Sequence, residues 1–312
     1  MAKTLITGAN GFLGSHLADY LLHSGHEVCA AVHNTAENLQ ERPEKLFIRQ
    51  CDVTHPQEIE TLILDTKPEF IFHFAAQSRQ TVSWREPQAT FALNVFGTQN
   101  VLEAVRKAGI SPTVVIAGSS AAYGSRKNYG SLVTETEPLQ PVSPYGVSKA
   151  AAEMLARIYW STYGLKVICI RPFFVTGTRK IGDVAADFSR GIVAVERGEE
   201  PALAVGNMDA VRDFLDSEDG VKAVWLIAKV GVPGEVYNIC SGVGHSVNQI
   251  LEILLAQSKA PIQIVRDPNR LRPADEPVVV GDNSKLRALG WEPIVPIAQT
   301  LADTLNYWRR QI

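Results

Sequence analysis

The chain has 312 residues, of which 46% are hydrophobic and 20% are charged, and its formal net charge is −3. This balance predicts a globular α/β protein and argues against electrostatic binding of nucleic acid. No apolar stretch approaches the ~20 residues that span a bilayer, and the N-terminus lacks signal-peptide character. We therefore expect a cytoplasmic protein with no membrane partner.

Short apolar or β-branched runs alternate with longer helical patterns through the first half of the chain. Strands are predicted at 4–7, 27–32, 46–49, 70–74, 113–117 and 166–170, and helices at 11–24, 56–65, 89–108 and 145–163. This alternation predicts the α/β class with a doubly wound parallel sheet of the Rossmann type.

The alternation loosens after residue 171, where glycine- and proline-rich loops mix with helices. Those helices are predicted at 183–197, 217–229, 246–257 and 296–310. We predict a dinucleotide-binding domain over 1–171 and a smaller, interleaved substrate-binding lobe over 172–312. A late strand near 236–240 is expected to return to the main sheet.

Glycines separate the first strand from the first helix at a spacing typical of dinucleotide sites. They permit a tight turn, close approach of the backbone to a pyrophosphate, and close packing of helix on strand. The helix N-terminus then offers free N–H groups to the phosphates, although a glycine-rich turn without a ligand is the alternative. The residues predicted to bind here are Gly8, Asn10, Gly11, Phe12, Leu13 and Gly14.

The ends of the next strands should contact the rest of the cofactor. The second strand ends at His33 without the carboxylate that would favour NAD, so NADP(H) is favoured and NAD(H) remains possible. A solvated loop histidine is the alternative at that position. Asp52, followed by Val53, can reach the adenine, although a turn-forming aspartate would look the same.

The fourth strand ends in Phe74, Ala75 and Ala76, whose small side chains would let the backbone approach the cofactor. A merely crowded turn would show the same residues. Candidates to line a sugar pocket follow this strand at Ser78, Arg79 and Trp84, with packing the favoured role for Trp84.

Tyr145 and Lys149 are four residues apart on a predicted helix and share one face. An ammonium beside a phenol should lower the pKa of the phenol, which suits general acid–base catalysis near neutral pH. Ser119 and Ser120 follow the fifth strand, at the sheet edge where Tyr145 should lie. Ser119 can hydrogen-bond the oxygen that Tyr145 protonates.

These motifs together resemble the extended short-chain dehydrogenase/reductase family of nucleotide-sugar-modifying enzymes. The resemblance implies a Ser–Tyr–Lys active site at Ser119, Tyr145 and Lys149, with Lys149 also bonding the nicotinamide ribose, and a cofactor contact at Asn94. Several later segments look like the GDP-mannose 4,6-dehydratase and GDP-4-keto-6-deoxy-D-mannose reductase branch. These are 205–207, 211–216, 236–242, 271–275 and 281–293.

One position separates the reactions of that branch. Dehydratases carry a glutamate two residues before the tyrosine of the Tyr-Gly pair, and here that residue is Ala121. Elimination of water therefore lacks its proton shuttle, whereas ketoreduction needs only a hydride and one proton. The sequence thus favours reduction of a nucleotide-linked 4-keto-6-deoxy sugar, with GDP-4-keto-6-deoxy-D-mannose to GDP-D-rhamnose as the leading case.

One departure from the branch concerns substrate placement. Phe174 stands where an asparagine usually bonds the substrate, while the backbone of Val175 can still hold the carboxamide. By resemblance, and because guanidinium groups bind phosphate oxygens bidentately, Arg212 and Arg272 should bind the nucleotide diphosphate. Asp275 should accept from ribose hydroxyls, and Arg179 and Lys180 can also face the diphosphate. Each of Arg212, Arg272 and Asp275 has a surface ion pair as its alternative.

The remaining expectations concern assembly and competing functions. In this family two helices from each subunit pair into a homodimer, which we expect of 89–108 and 145–163, although burial within one subunit explains the same apolar pattern. A 4-epimerase with retained NAD is the alternative function, and a non-catalytic nucleotide-binding protein is a third.

The histidines and four cysteines show no metal-binding spacing, so no metal is expected, and the cysteines should be buried free thiols rather than disulfides.

Overall fold

The structure, a computed structural model, describes residues 1–39, 44–124, 130–270 and 276–311. Its centre is a sheet of seven parallel strands in the order β10-β6-β5-β4-β1-β2-β3. The strands are β1 (Lys3–Thr7), β2 (Glu27–Val32), β3 (Leu46–Gln50), β4 (Phe70–His73), β5 (Thr113–Ala117), β6 (Lys166–Pro172) and β10 (Val236–Ile239).

Helices cover both faces of this sheet. Helices α1 (Phe12–His23) and α8 (Ser217–Val230) pack together, and their apolar residues join one core that includes Leu17, Leu21 and Trp225. The second core, on the opposite face, holds apolar residues of α2, α5 and α6. Those helices are α2 (Pro56–Thr66), α5 (Gly97–Ala108) and α6 (Pro144–Tyr163). The predicted doubly wound parallel sheet is confirmed.

The strand order places a switch point between β1 and β4, because the chain winds outward from there in both directions. Ligands of open α/β sheets bind in the crevice at such a point, beyond the carboxyl ends of the strands. The turns after β1 and β4 meet there, and so do the glycines of the first turn. The topology therefore locates the dinucleotide site.

The second half of the chain adds small sheets and helices around a third core. A four-stranded sheet joins β7 (Phe174–Thr176), β9 (Val211–Asp216), β11 (Gly244–Ser246) and β13 (Val278–Val279), and β8 (Leu203–Val205) pairs with β12 (Ile264–Arg266). The helices are α7 (Val184–Glu196), α9 (Val247–Leu255), α10 (Ser284–Arg287) and α11 (Ile297–Gln311). Helices α7, α9 and α11 share a core that includes Phe188, Leu251 and Leu305, whereas α10 packs into the first core through Leu286.

The helix predicted over 89–108 is present and contains a π-helical segment that was not predicted. The chain forms α3 (Gln80–Arg85) and α4 (Pro87–Phe91), then one π-helical segment over Ala92–Phe96 before α5 begins. A Cβ at Gly97 would lie 2.9 Å from Val53 Cγ2, so α5 approaches the loop after β3 very closely. The helix therefore continues through a π-helical segment, and such segments often mark functional sites.

Two further features of the described residues concern the thiols and the membrane. The cysteines Cys29, Cys51, Cys169 and Cys240 are buried and free. Within the described ranges, no helix has the length and apolar character required to cross a lipid bilayer.

Candidate active site

The turn after β1 forms a cradle of bare backbone against the end of β4. Gly8 has a φ of 68°, and a Cβ there would lie 2.6 Å from the Ala75 nitrogen. A Cβ at Gly14 would lie 2.8 Å from the Ala9 Cα, so α1 packs directly onto the turn. This cradle fits a dinucleotide, whose pyrophosphate needs such close approach to the backbone.

The start of α1 presents donors above this cradle. Gly11 is the N-cap residue and provides no side-chain cap, while Phe12 and Leu13 open the helix and are half-buried. Their position at a helix N-terminus suits phosphate binding. Asn10 is occupied differently, because its Oδ1 accepts from the Asn38 N–H at 2.8 Å and its Nδ2 donates to Thr35 Oγ1 at 2.9 Å.

Two side chains predicted at the adenosine end of the site lie next to each other. His33 is exposed after β2, and its Nε2 lies 3.4 Å from Asp52 Oδ2. The Asp52 Oδ1 also accepts from the backbone N–H and the hydroxyl of Thr54, which supports the turn-forming alternative for Asp52. Val53 is buried beside α5. The structure brings His33 and Asp52 together without distinguishing NAD from NADP.

A buried histidine links the ends of β1 and β4. The Thr7 hydroxyl donates to His73 Nδ1 at 2.7 Å, and His73 Nε2 donates to Thr98 Oγ1 at 3.0 Å. Burial, reinforced by the charge of Lys149, lowers the pKa of His73 to about 3, so the ring is neutral. The Thr98 hydroxyl in turn donates to the Asn94 carbonyl at 2.7 Å. This chain fixes the strand end that carries Phe74, Ala75 and Ala76.

Asn94 lies in the π-helical segment and connects that strand end to α6. Its Nδ2 donates to the Gln77 carbonyl at 3.0 Å and to Ser148 Oγ at 2.9 Å, and its Oδ1 accepts from the Gln77 N–H at 2.8 Å. The amide is therefore satisfied by protein groups, and it braces α6 one residue from Lys149. Direct contact between Asn94 and the cofactor stays a prediction.

The three predicted catalytic residues converge at the carboxyl end of β5. Ser119 follows β5 in an extended conformation, and its Oγ accepts from the Ala121 N–H at 3.1 Å. Tyr145 lies in the first turn of α6, after the N-cap Ser143 and Pro144, and shares a hydrogen bond with the Ser119 hydroxyl. Lys149 lies one turn later and donates from Nζ to the Ala117 carbonyl at 2.8 Å.

The electrostatics of this site differ from the sequence expectation. Burial raises the pKa of Tyr145 and the bond from Ser119 only partly offsets this. The Lys149 Nζ lies 6.0 Å from the centroid of the Tyr145 ring, and burial lowers the pKa of Lys149 to about 8. The expected lowering of the Tyr145 pKa by Lys149 is therefore wrong for this structure. Tyr145 holds its proton at neutral pH, which is the state of an acid.

A buried ion pair lies directly beneath the catalytic loop. Arg171 on β6 donates from Nε to Glu153 Oε2 at 2.9 Å and from Nη1 to the Tyr123 hydroxyl at 2.8 Å. The Tyr123 hydroxyl donates to Asn238 Oδ1 on β10 at 2.6 Å. A Cβ at Gly118 would lie 3.5 Å from Glu153 Oε2, so the network supports the segment that carries Ser119.

The predicted substrate residues are only partly assembled. Ser120 is buried beside Ser119, and Ser78 is exposed at the end of β4. The guanidinium of Arg212 lies 5.5 Å from the centroid of the Phe174 ring, which also lies 5.9 Å from the Phe214 ring. Val175 is buried within β7. Arg272 and Asp275 lie outside the described residues.

Sequence reasoning did not identify the residues that hold the site in place. Glu153 carried a signal, because it lies four residues after Lys149 and hence on the same face of α6. His73 was visible only as one polar residue in an apolar strand. Arg179, treated as a candidate for the diphosphate, instead donates to Asp19 Oδ2 at 2.6 Å and to the Asn38 carbonyl at 3.0 Å. These contacts of Arg179 join distant parts of the chain, so local sequence patterns do not reveal them.

Comparisons with known proteins agree with this geometry. A family model described as GDP-mannose 4,6 dehydratase matches residues 5–304. The chain is 32% identical to the GDP-6-deoxy-D-mannose reductase of Pseudomonas aeruginosa, over 99% of this chain and 98% of that protein.

Two solved structures have the same fold over almost their entire length. The structure of RMD from Pseudomonas aeruginosa complexed with NADPH has a TM-score of 0.86 and 29% identity, covering 100% of each chain. The UDP-glucose 4-epimerase of Thermus thermophilus, in complex with NAD, has a TM-score of 0.89 and 28% identity, covering 99% of each chain. The chain belongs to the extended short-chain dehydrogenase/reductase family, in its NAD-dependent epimerase/dehydratase group, and is an NAD(P)-dependent oxidoreductase of nucleotide-sugar metabolism.

Proposed function

We propose that this enzyme reduces a nucleotide-linked 4-keto-6-deoxy sugar, with GDP-4-keto-6-deoxy-D-mannose to GDP-D-rhamnose as the leading case. The observation that carries the proposal is Ala121 in the catalytic loop. The Ala121 carbonyl oxygen would lie 2.5 Å from a Cβ at Gly146, the residue after Tyr145, so the backbone at Ala121 lies against the first turn of the catalytic helix. An alanine there provides no acid or base for elimination of water.

The proton requirements of reduction match the state of the site. When bound, the reduced nicotinamide supplies the hydride that adds to C4 of the sugar. Tyr145 then gives its proton to the C4 oxygen, and Ser119 hydrogen-bonds that oxygen as negative charge develops on it. The raised pKa of Tyr145 keeps the phenol protonated and ready to donate. Lys149, with its pKa lowered to about 8, is proposed to donate to the nicotinamide ribose in its ammonium form and so to position the cofactor.

Cofactor and substrate preferences are part of the same proposal. We propose NADP(H) as the cofactor, because β2 ends in His33 without the ribose-binding carboxylate, and the Pseudomonas aeruginosa relative was solved with NADPH. GDP is proposed as the nucleotide because the reductase relative acts on a GDP sugar. Residues 172–312 are proposed to supply the substrate lobe, with Arg212 and Arg272 on the diphosphate, Asp275 on the ribose, and Ser78, Ser120 and Phe174 near the sugar.

A homodimer is proposed through one face of α6. Val147, Met154 and Ile158 recur at a spacing of seven and then four residues, which places them on one stripe of the helix. Met154 is 59% exposed and Ile158 is 52% exposed, and Phe96 on the neighbouring π-helical segment is 58% exposed. A continuous apolar stripe on a helix pair suits pairing with the same stripe of a second subunit.

The test is an assay with purified protein, NADPH and GDP-4-keto-6-deoxy-D-mannose. We expect loss of absorbance of the reduced cofactor in proportion to the product formed, and product that co-elutes with GDP-D-rhamnose. A folded protein that binds NADPH but consumes none with this substrate would contradict the proposal.

A 4-epimerase is the second candidate, favoured by the TM-score of 0.89 to the Thermus thermophilus enzyme with NAD. An epimerase restores its cofactor in each cycle and so needs none added. Interconversion of UDP-glucose and UDP-galactose by protein purified with bound NAD, without added cofactor, would favour this alternative.

A further inference from the structure

A short segment after β7 is fastened to the cofactor-binding half of the molecule. We define the strap as residues 178–180. The Lys180 N–H donates to the Gly177 carbonyl at 3.4 Å, which closes a turn with Arg179 at its third position. Arg179 has a φ of 64°, a conformation that glycine adopts far more easily than arginine. Such a strained backbone at a non-glycine residue indicates that the arginine side chain is required there.

The Arg179 guanidinium contacts three residues in two parts of the dinucleotide-binding half. It donates to Asp19 Oδ2 at 2.6 Å and to His16 Nδ1 at 3.1 Å, both on α1, and to the Asn38 carbonyl at 3.0 Å. Burial and the nearby charge of Arg179 lower the pKa of His16 to about 4, so its neutral ring accepts from Arg179. Its Nε2 donates to the Thr178 carbonyl at 2.9 Å.

The Asn38 contact continues into the glycine turn. Asn38 donates from its backbone N–H to Asn10 Oδ1 and from its Nδ2 to the Asn10 carbonyl, both at 2.8 Å. Asn10 Nδ2 donates to Thr35 Oγ1 at 2.9 Å. The segment from Thr35 to Asn38 is therefore held on one side by the glycine turn and on the other by the strap.

The strap also approaches the start of α1 directly. The Lys180 Nζ lies 4.4 Å from the centroid of the Phe12 ring, and Phe12 is the first residue of that helix. The strap, the segment 35–38 and the glycine turn thus enclose the side of the site where β2 ends. That is the side on which a Rossmann fold holds the adenosine of its dinucleotide.

We propose that the strap holds the adenosine side of the dinucleotide site closed and sets the rate at which the cofactor leaves, with Arg179 as its positioning residue. The inference rests on the nicotinamide cofactor of the proposed function. Arg179 acts through Asn38 and α1, because its donors are directed at protein acceptors. A segment ordered before binding costs less entropy to hold in the complex, and changes of this kind appear mainly in dissociation rates.

The experiment measures NADPH dissociation from the full chain by stopped-flow displacement, following the fluorescence of the bound reduced cofactor. We expect Arg179→Met to raise the dissociation rate about tenfold, because hydrogen bonds to charged groups are lost. Arg179→Gly should release NADPH equally fast, while relieving the left-handed backbone. 2′-Phospho-ADP-ribose, which lacks the nicotinamide of NADPH, should lose a similar factor in affinity by calorimetry.

The matched control is Arg309→Met. Arg309 donates to both carboxylate oxygens of Glu196, at 2.9 and 2.6 Å, and to the Gln257 carbonyl at 2.8 Å, in the helices away from the strap. Its loss should lower thermal stability and leave NADPH dissociation within about twofold of the wild-type rate.

Two results would overturn the inference in distinguishable ways. If the wild-type protein binds NADPH but both folded Arg179 variants release it at the wild-type rate, the strap has no such role. If the wild-type protein binds neither NADPH nor NADH, the cofactor assignment fails and the strap proposal fails with it.

Discussion

At the scale of single residues, the account depends on a protonated tyrosine. Tyr145→Phe removes the hydroxyl that is placed to give a proton to the C4 oxygen. We expect kcat to fall by about 10²–10⁴, the usual contribution of general acid catalysis. NADPH affinity by fluorescence titration should change less than about threefold, because the ring remains. Activity above half of the wild-type value would contradict the role of Tyr145.

Lys149 should determine the alkaline limb of the pH profile. Burial lowers its pKa to about 8, so its ammonium form is present below that pH and is lost as the pH rises through it. We expect kcat/KM to fall above about pH 8, because this parameter reports groups of the free enzyme. The profile should be measured from about pH 6 to 10, with Lys149→Arg as the comparison. If the alkaline limb keeps the same apparent pKa in Lys149→Arg, another group causes the loss of activity.

At the scale of elements, the buried Arg171–Glu153 pair joins β6 to α6 beneath the catalytic loop. The side chains are 5% and 11% exposed. Glu153→Gln leaves Arg171 without its carboxylate, and breaking such a pair costs about 3–5 kcal/mol. Urea denaturation should show this loss in the free energy of unfolding.

The control for that measurement is Glu60→Gln, which removes an exposed ion pair with Lys107. An exposed pair contributes little, so we expect a loss of about 0–1 kcal/mol. Equal losses in the two variants would show that the buried pair has no special importance.

The apolar stripe of α6 gives a second prediction for an element. Met154→Glu places a carboxylate at the centre of the proposed subunit contact, where it would be desolvated and face its own copy. We expect light scattering with size exclusion to show dimers for the wild-type protein and monomers for the variant. Lys107→Glu, at an exposed position away from the stripe, should remain dimeric. Wild-type monomers at micromolar concentration would exclude the proposed interface.

At the scale of the whole molecule, much of the fold was predictable from the sequence. The strands β2 and β5 have the predicted bounds, because buried parallel strands appear as uninterrupted apolar runs. The convergence of Ser119, Tyr145 and Lys149 was predictable from the alternation of strands and helices. In a parallel sheet, the carboxyl ends of the strands and the starts of the following helices lie at the same edge. The π-helical segment within the predicted helix 89–108 was not predictable, because a helical spacing of apolar residues does not reveal one extra residue in a turn.

The pKa values of the catalytic residues and the contacts that hold the site in place could not be predicted from the sequence. The direction of the Tyr145 pKa depends on burial, which a spacing of four residues does not reveal. Arg179 and Asp19 are separated by 160 residues and meet only in the folded chain. Local patterns therefore predict which groups react, while packing over long range decides their protonation and the enclosure of the cofactor.

The central claim is a net transfer of hydride from cofactor to sugar, and isotope labelling tests it most directly. Protein is incubated with NADPH carrying deuterium at C4 of the nicotinamide, on the transferred face, and with GDP-4-keto-6-deoxy-D-mannose. We predict one deuterium at C4 of the sugar product by mass spectrometry and NMR, with one NADPH consumed for each product, and none in Tyr145→Phe over the same time. A nucleotide sugar that is interconverted without deuterium or consumed NADPH would contradict the account.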